Sequence, residues 1–284
     1  MKRKVIFDCD NTMGIIGKDV DDGLTLIYLL GREDIDLIGL TLTYGNSSLE
    51  DVKEATSKLL KELNINDLKV FAGEEAGKFL ADSAKKYKND LTVLATGSMT
   101  NLHTAHKCDP EFYNNLDEIY LMGGVVKPLL INGVEVKELN FACNAEAAYD
   151  VLSSNCKISL LNGHVTADAI FGKEELEELS KREGKTYRFI EDSIDHWVKR
   201  INDKFGIDGF CNWDMAAAIF MSHKELFSND VVKINPTVES LKNGDLNLDE
   251  MGAKEIIMPE NILDMKKFNS LIFDAFESFQ NKYN

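Results

Sequence analysis

Short apolar runs alternate along the chain with stretches whose apolar positions recur every three or four residues, the signatures of strands and helices. The first run, Val5-Ile6-Phe7, leads into Asp8-Cys9-Asp10 and predicts a strand. Further on, Asp21 and Asp22 are followed by Leu24, Ile27 and Tyr28 and closed by Gly31. That spacing predicts an amphipathic helix with both acids in its first turn. The β-branched run 35–43 predicts a second strand, ending at Tyr44-Gly45-Asn46. Val52, Ala55, Leu59, Leu60 and Leu63 then share one helical face. The alternation continues with strands at 68–73, 91–97, 118–124 and 157–163, and helices near 76–87, from about 100, and around 145–152. Beyond this the pattern is more helical, at 173–181, 186–204 and 214–221. A returning β segment with turns is expected over 228–262 and a last helix over 264–280.

A β-α-β-α order with strands apolar on both faces predicts an α/β fold: a mainly parallel central sheet, Rossmann-like, with helices on both sides. No linker, repeat or low-complexity tract interrupts it, so a single domain over 1–284 is expected. In such sheets ligands bind outside the carboxyl ends of the strands. The polar residues after each strand are therefore the candidates: Asp8 and Asp10 after the first, Asn46 after the second, Thr96 after the fourth and Met122 with two glycines at the fifth.

Asp8 and Asp10, two apart on a strand, share a face, and Asp21 and Asp22 open the next helix. Four carboxylates converging there repel one another unless a cation or shared protons offset the charge. Oxygen donors alone favour calcium or magnesium over zinc. A helix N-terminus favours acids by itself, but that accounts for only one or two of the four. The formal net charge of −16 argues against nucleic acid or an anionic membrane as partner. The five cysteines lack a CxxC spacing and are expected to be reduced and mostly buried. MKRK runs directly into the first strand, leaving no room for a signal peptide, and no apolar run reaches membrane-spanning length. No GxGxxG or P-loop is present, which counts against NAD or ATP use. His103 and His106 are expected to be structural, while His164 and the pair His196-Trp197 are weaker candidates for the site.

The succession DCD, VDD, TYGN, ATGSMTN, YLMGG, ELNFACNAEAA and NWD resembles the calcium-dependent, inosine-uridine-preferring nucleoside hydrolases, from about residue 4 to about residue 220. The resemblance implies that Asp10 is general base and calcium ligand and that Asp22 bridges the metal. It implies further that the Thr96 carbonyl and Asp214 complete the ligand set and that Asp21 pairs with a ribose hydroxyl. Asn46, Glu138 and Asn140 would bind the ribose, Met122 would lie near the sugar, Trp213 would stack on the base, and Asp8 would support Asp10 from behind. The implied enzyme is a cytoplasmic homodimer or homotetramer with calcium as cofactor, releasing free base and ribose in nucleoside salvage. Such chemistry passes through an oxocarbenium-like transition state that a dense anionic pocket stabilises.

Three features depart from the family pattern. The loop NTMGIIGKDV between Asp10 and Asp21 is longer than the compact D-x-D-P-G-x-D-D. Trp213 stands where many members carry a histidine, and the 74–94 segment is short, so no second stacking partner is evident. Two rival readings use the same residues. DCDNT also matches the DxDxT of haloacid-dehalogenase-like phosphatases, with Asp8 as nucleophile and Asp10 as acid/base, and GDLNLD at 244–249 mimics their late metal motif. A non-catalytic nucleoside- or sugar-binding protein is the other.

Overall fold

In the computed structural model, which describes residues 2–252 and 254–283, the first half follows the predicted alternation. Strand β1 (Arg3–Cys9), helix α1 (Asp21–Gly31), β2 (Ile35–Leu42), α2 (Leu49–Glu62), β3 (Val70–Ala72), α3 (Glu74–Lys86), β4 (Leu91–Ala95), α4 (Thr100–Cys108) and β5 (Glu118–Met122) succeed one another. A hairpin, β6 (Leu129–Ile131) and β7 (Val134–Val136), precedes α5 (Ala145–Leu152), β8 (Ile158–Leu161) and α6 (Gly163–Ala167). Then come β9 (Ile170–Phe171), α7 (Lys173–Ser180), α8 (Lys185–Phe205), β10 (Phe210–Cys211) and α9 (Trp213–Ser222). The returning segment supplies β11 (Val231–Ile234), α10 (Val238–Leu241) and β12 (Lys254–Ile257), and α11 (Met265–Tyr283) follows. The hairpin, α6 and the β9–β10 pair are too short to leave a periodic signal in the sequence.

Eight strands form one sheet in the order β11-β12-β8-β5-β4-β1-β2-β3. All neighbours run parallel except β11 against β12. The two-residue period of the strands divides the core into two layers. Val5, Phe7 and Cys9 of β1, with Leu94, Tyr120 and Met122, face the layer built with α1, α8, α9 and α11. Ile6, Val93, Ala95, Ile119 and Leu121 face the layer built with α3, α4 and α5.

Helix α1 departs from the amphipathic expectation, since every one of its residues is buried. It is wedged between the sheet, α9 and α11. Gly31 permits the closest approach: a Cβ there would strike the carbonyl oxygen of Ala275 in α11. The cysteines are all free, with Cys9, Cys156 and Cys211 buried, Cys143 half-buried and Cys108 exposed.

Candidate active site

From β1 the chain winds outward through β2 and β3, then returns across β1 to lay down β4, β5 and β8 on the other side. The carboxyl ends of β1 and β4 therefore flank the point where the winding reverses, and a crevice opens there. Asp10 follows β1 directly, Thr96 follows β4, and α1 delivers Asp21 and Asp22 in its first turn. Asp214 sits in the first turn of α9. Two helix N-termini thus point their positive ends at a group of acids, which lowers the cost of gathering them.

The residual cost is still large. Carboxylate oxygens of Asp21, Asp22 and Asp214 lie within 4.8 Å of one another, and all three residues are buried. Asp21 accepts from the backbone N–H of Asp22 at 3.1 Å and from that of Asp214 at 3.2 Å. Asp22 accepts from the Thr96 hydroxyl at 2.7 Å through one oxygen, while its other oxygen is buried with no partner among the described residues. The carboxyl groups of Asp10 and Asp22 also lie within hydrogen-bonding reach, as do those of Asp21 and Asp214. Burial, followed by the neighbouring acids, holds Asp22 and Asp214 well above the usual carboxylate range. Burial also raises Asp10 to about 6 and Asp8 to about 7.

Two buried carboxylates facing each other need a shared proton or a cation between them. Oxygen donors only, several of them anionic and one oxygen orphaned, fit a hard divalent cation. Among the described residues this is the one cluster of three or more acid, cysteine or histidine side chains that could hold a metal.

Asp10 is fixed by its own surroundings. It accepts from the backbone N–H of Asn46 and, at 3.5 Å, from the Asn46 side-chain amide. Glycines make the room: a Cβ at Gly45 would overlap an Asp10 oxygen, and one at Gly97 would crowd its Cβ and Cγ at 3.2 Å. Asp8 lies behind, one oxygen accepting from Thr41 at 2.6 Å and from Asn101 at 2.7 Å, the other unpartnered among the described residues.

A cavity of about 400 Å³ opens beside the acids. Of the residues expected at the site, Asp21, Asn46, Thr96, Met122, Glu138, Asn140, Trp213 and Asp214 line it. Asp10, Asp22 and Asp8 are buried alongside rather than in the lining. Asn140 donates to the Thr96 carbonyl at 2.8 Å and to the Met122 carbonyl at 3.1 Å, tying the ends of β4 and β5 together. Glu138 accepts from the backbone N–H groups of Gly124, Phe141 and Ala142 at 3.1, 3.0 and 2.9 Å. Its carboxylate is therefore largely committed to holding two turns.

Several lining residues were not anticipated. Asp19 and Lys18, from the long loop, reach the pocket, as do Val125, Leu129 of the hairpin, and Arg200 and Lys204 on α8. Trp197, already a candidate from the sequence, also lines it while packing partly on the core. The three- and four-residue spacing of Trp197, Arg200 and Lys204 carried that signal. His103 and His106 instead pair with Asp150 at 3.0 and 2.9 Å on the α4 side. GDLNLD places Gly244 against Glu138 and Leu246 against Gly124, and none of its acids joins the cluster.

A model of inosine-uridine preferring nucleoside hydrolases matches residues 5–78 and 73–270. A probable uridine nucleosidase 2 of Arabidopsis thaliana is 25% identical over 228 residues, covering 66% of this chain and 68% of that protein. An inosine-uridine preferring nucleoside hydrolase of Crithidia fasciculata is 20% identical over 330 residues, covering 98% of both. Among solved structures, a plant nucleoside hydrolase superposes with a TM-score of 0.85 at 18% identity over 99% of each chain. A purine-preferring ribonucleoside hydrolase from Gardnerella vaginalis gives 0.84 at 22% identity, over 99% of this chain and 100% of the other. At these identities the superpositions establish the fold.

Proposed function

The chain belongs to the inosine-uridine preferring nucleoside hydrolase family, and from that premise we propose that it cleaves the N-glycosidic bond of ribonucleosides, with calcium as the resident cation and Asp10 as the base. The observation that carries this reading is the buried acid cluster at the strand reversal, with the orphaned Asp22 oxygen, beside a cavity of about 400 Å³.

In this reading Asp10, Asp22, Asp214 and the Thr96 carbonyl, whose second lone pair the Asn140 contact leaves free, would hold the cation, and Asp21 beside them would pair with a ribose hydroxyl. When bound, the cation lowers the pKa of a coordinated water and orients ribose hydroxyls. Asp10 takes a proton from the attacking water, and the Asn46 contacts keep its carboxylate aimed. The acids stabilise the positive charge that grows on the sugar as the base departs. Asn46 and Asn140 face the ribose, Met122 packs by the sugar, and Trp213 with Trp197 gives the base two flat apolar walls. Glu138 shapes this wall through the turns it fixes. No described helix is long and apolar enough to cross a membrane. The working unit is one domain over 1–284, assembled as a cytoplasmic homodimer or homotetramer as the resemblance implies.

The test is release of reducing sugar from a panel of purine and pyrimidine ribonucleosides, with and without a chelator, followed by add-back of calcium or magnesium. Ribose release that a chelator stops and calcium restores is the expected result. Silence toward every riboside, with hydrolysis of a phosphate monoester in magnesium, would sink the reading and favour a phosphatase. Silence toward both, with ligand-induced thermal shifts, would leave a binding protein.

A further inference from the structure

Helix α8 brings an unusual group of side chains to the pocket. Trp197, Arg200 and Lys204 stand three and four residues apart, so one face of the helix delivers an indole and two cations. Lys18 and Lys137 line the same cavity. None of these four cations makes an ion pair among the described residues. Lys18 donates to the Asn46 carbonyl at 2.8 Å, and Lys204 lies over the ring of Phe205, 4.6 Å from its centroid. The Arg200 guanidinium reaches toward the long loop, where a Cβ at Gly17 would stand 3.9 Å from it. The Trp197 indole N–H is buried without a partner among the described residues. Indole, guanidinium and ammonium groups donate hydrogen bonds and cannot accept them. The α8 side of the cavity therefore offers donors and positive charge beside a flat aromatic wall.

Such a surface is complementary to an anion held on a planar ring. The acid cluster repels anions at the ribose end, so the charge these cations match must lie on the base. We propose that the preferred substrates are ribosides whose base bears an anionic group, a ring carboxylate above all, read by Arg200 and Lys204 beside Trp197. This rests on the ribonucleoside hydrolase reading and adds the substrate class to it. In the reaction the C1′–N bond breaks with its electron pair going to the base nitrogen, water oxygen bonds to C1′, and one water proton passes to Asp10. The carboxylate on the ring stays ionised throughout and serves only recognition.

Nicotinate riboside and nicotinamide riboside share one ring and one bond to ribose and differ in carboxylate against carboxamide. The wild-type enzyme is expected to favour nicotinate riboside in kcat/KM by about tenfold or more, a preference that shrinks as salt screens the charges. Arg200→Ala should abolish most of that preference and Arg200→Glu reverse it, with Lys204→Ala giving a smaller loss. Both positions are exposed, so the core stays closed. Calorimetric binding of the two ribosides to Asp10→Asn protein should reproduce the ranking without turnover. Equal kcat/KM for the pair, or a preference unmoved in all three variants, would overturn the inference while leaving hydrolysis intact. So would a preference for uridine 5′-monophosphate over uridine that Arg200→Ala removes, since the anion would then be read from the sugar side. Silence toward every riboside would overturn the hydrolase reading together with this one.

Discussion

Asp22 concentrates the chemistry of the pocket in one side chain: one oxygen is satisfied by the Thr96 hydroxyl, the other is buried without a protein partner. Such an oxygen costs folding energy unless a cation takes it up. Asp22→Asn should therefore raise the melting temperature of chelator-treated protein while abolishing the calcium-induced thermal shift. A mutant still stabilised by calcium would remove Asp22 from the ligand set. Asp10→Asn keeps the shape of the side chain and removes the proton acceptor, so kcat should fall by about 10² to 10⁴, measured as ribose release under saturating calcium. Trp213→Ala should shift the ranking of bases more than calcium affinity; an equal loss for every nucleoside would argue against stacking. At this scale the sequence was informative wherever a residue follows a strand, because the two-residue period and the sheet rule together dictate where Asp10, Asn46 and Thr96 must go. It was silent on how Glu138 is used. Its three backbone partners come from turns whose meeting depends on tertiary packing.

Among the elements, α1 was placed to the residue by its acids and its closing glycine, yet its environment was misjudged. Leu24, Ile27 and Tyr28 mark only one buried face; that the whole helix is enclosed, by the sheet, α9 and α11, depends largely on segments from the far end of the sequence, which periodicity cannot reveal. The same gap applies to α8, whose pocket-facing residues look like an ordinary polar stripe until the cavity is assembled around them. Gly31→Ala tests the α1–α11 contact. The added methyl meets a backbone oxygen rather than a yielding side chain. Overpacking of this kind should cost about 1–3 kcal/mol, read from urea unfolding, against the gain that alanine normally brings to a helix. An unchanged midpoint would mean the two helices can part without loss.

For the molecule as a whole, the acid cluster makes stability depend on pH in a direction opposite to that of most paired carboxylates. Asp8 and Asp10 titrate near 7 and 6 in the metal-free fold, against an ordinary value of 3.8. The folded state then binds more protons than the unfolded chain between about pH 4 and 7, so stability falls as pH rises across that window. Chelator-treated protein should melt at a higher temperature at pH 5 than at pH 8, and saturating calcium should flatten or invert the difference. A metal-free melting temperature that rises with pH through this range would contradict the raised values.

The α1–α11 contact also has a consequence for biosynthesis. Residues 21–31 leave the ribosome long before residues 265–283, yet α1 packs directly on the latter. For most of translation the helix bearing Asp21 and Asp22 lacks two of its packing partners, α9 and α11. The cation pocket, though encoded almost at the start, is therefore among the last features to consolidate. Nascent chains stalled before α11 should capture no calcium and should instead leave the surface of α1 around Gly31 open to chaperones.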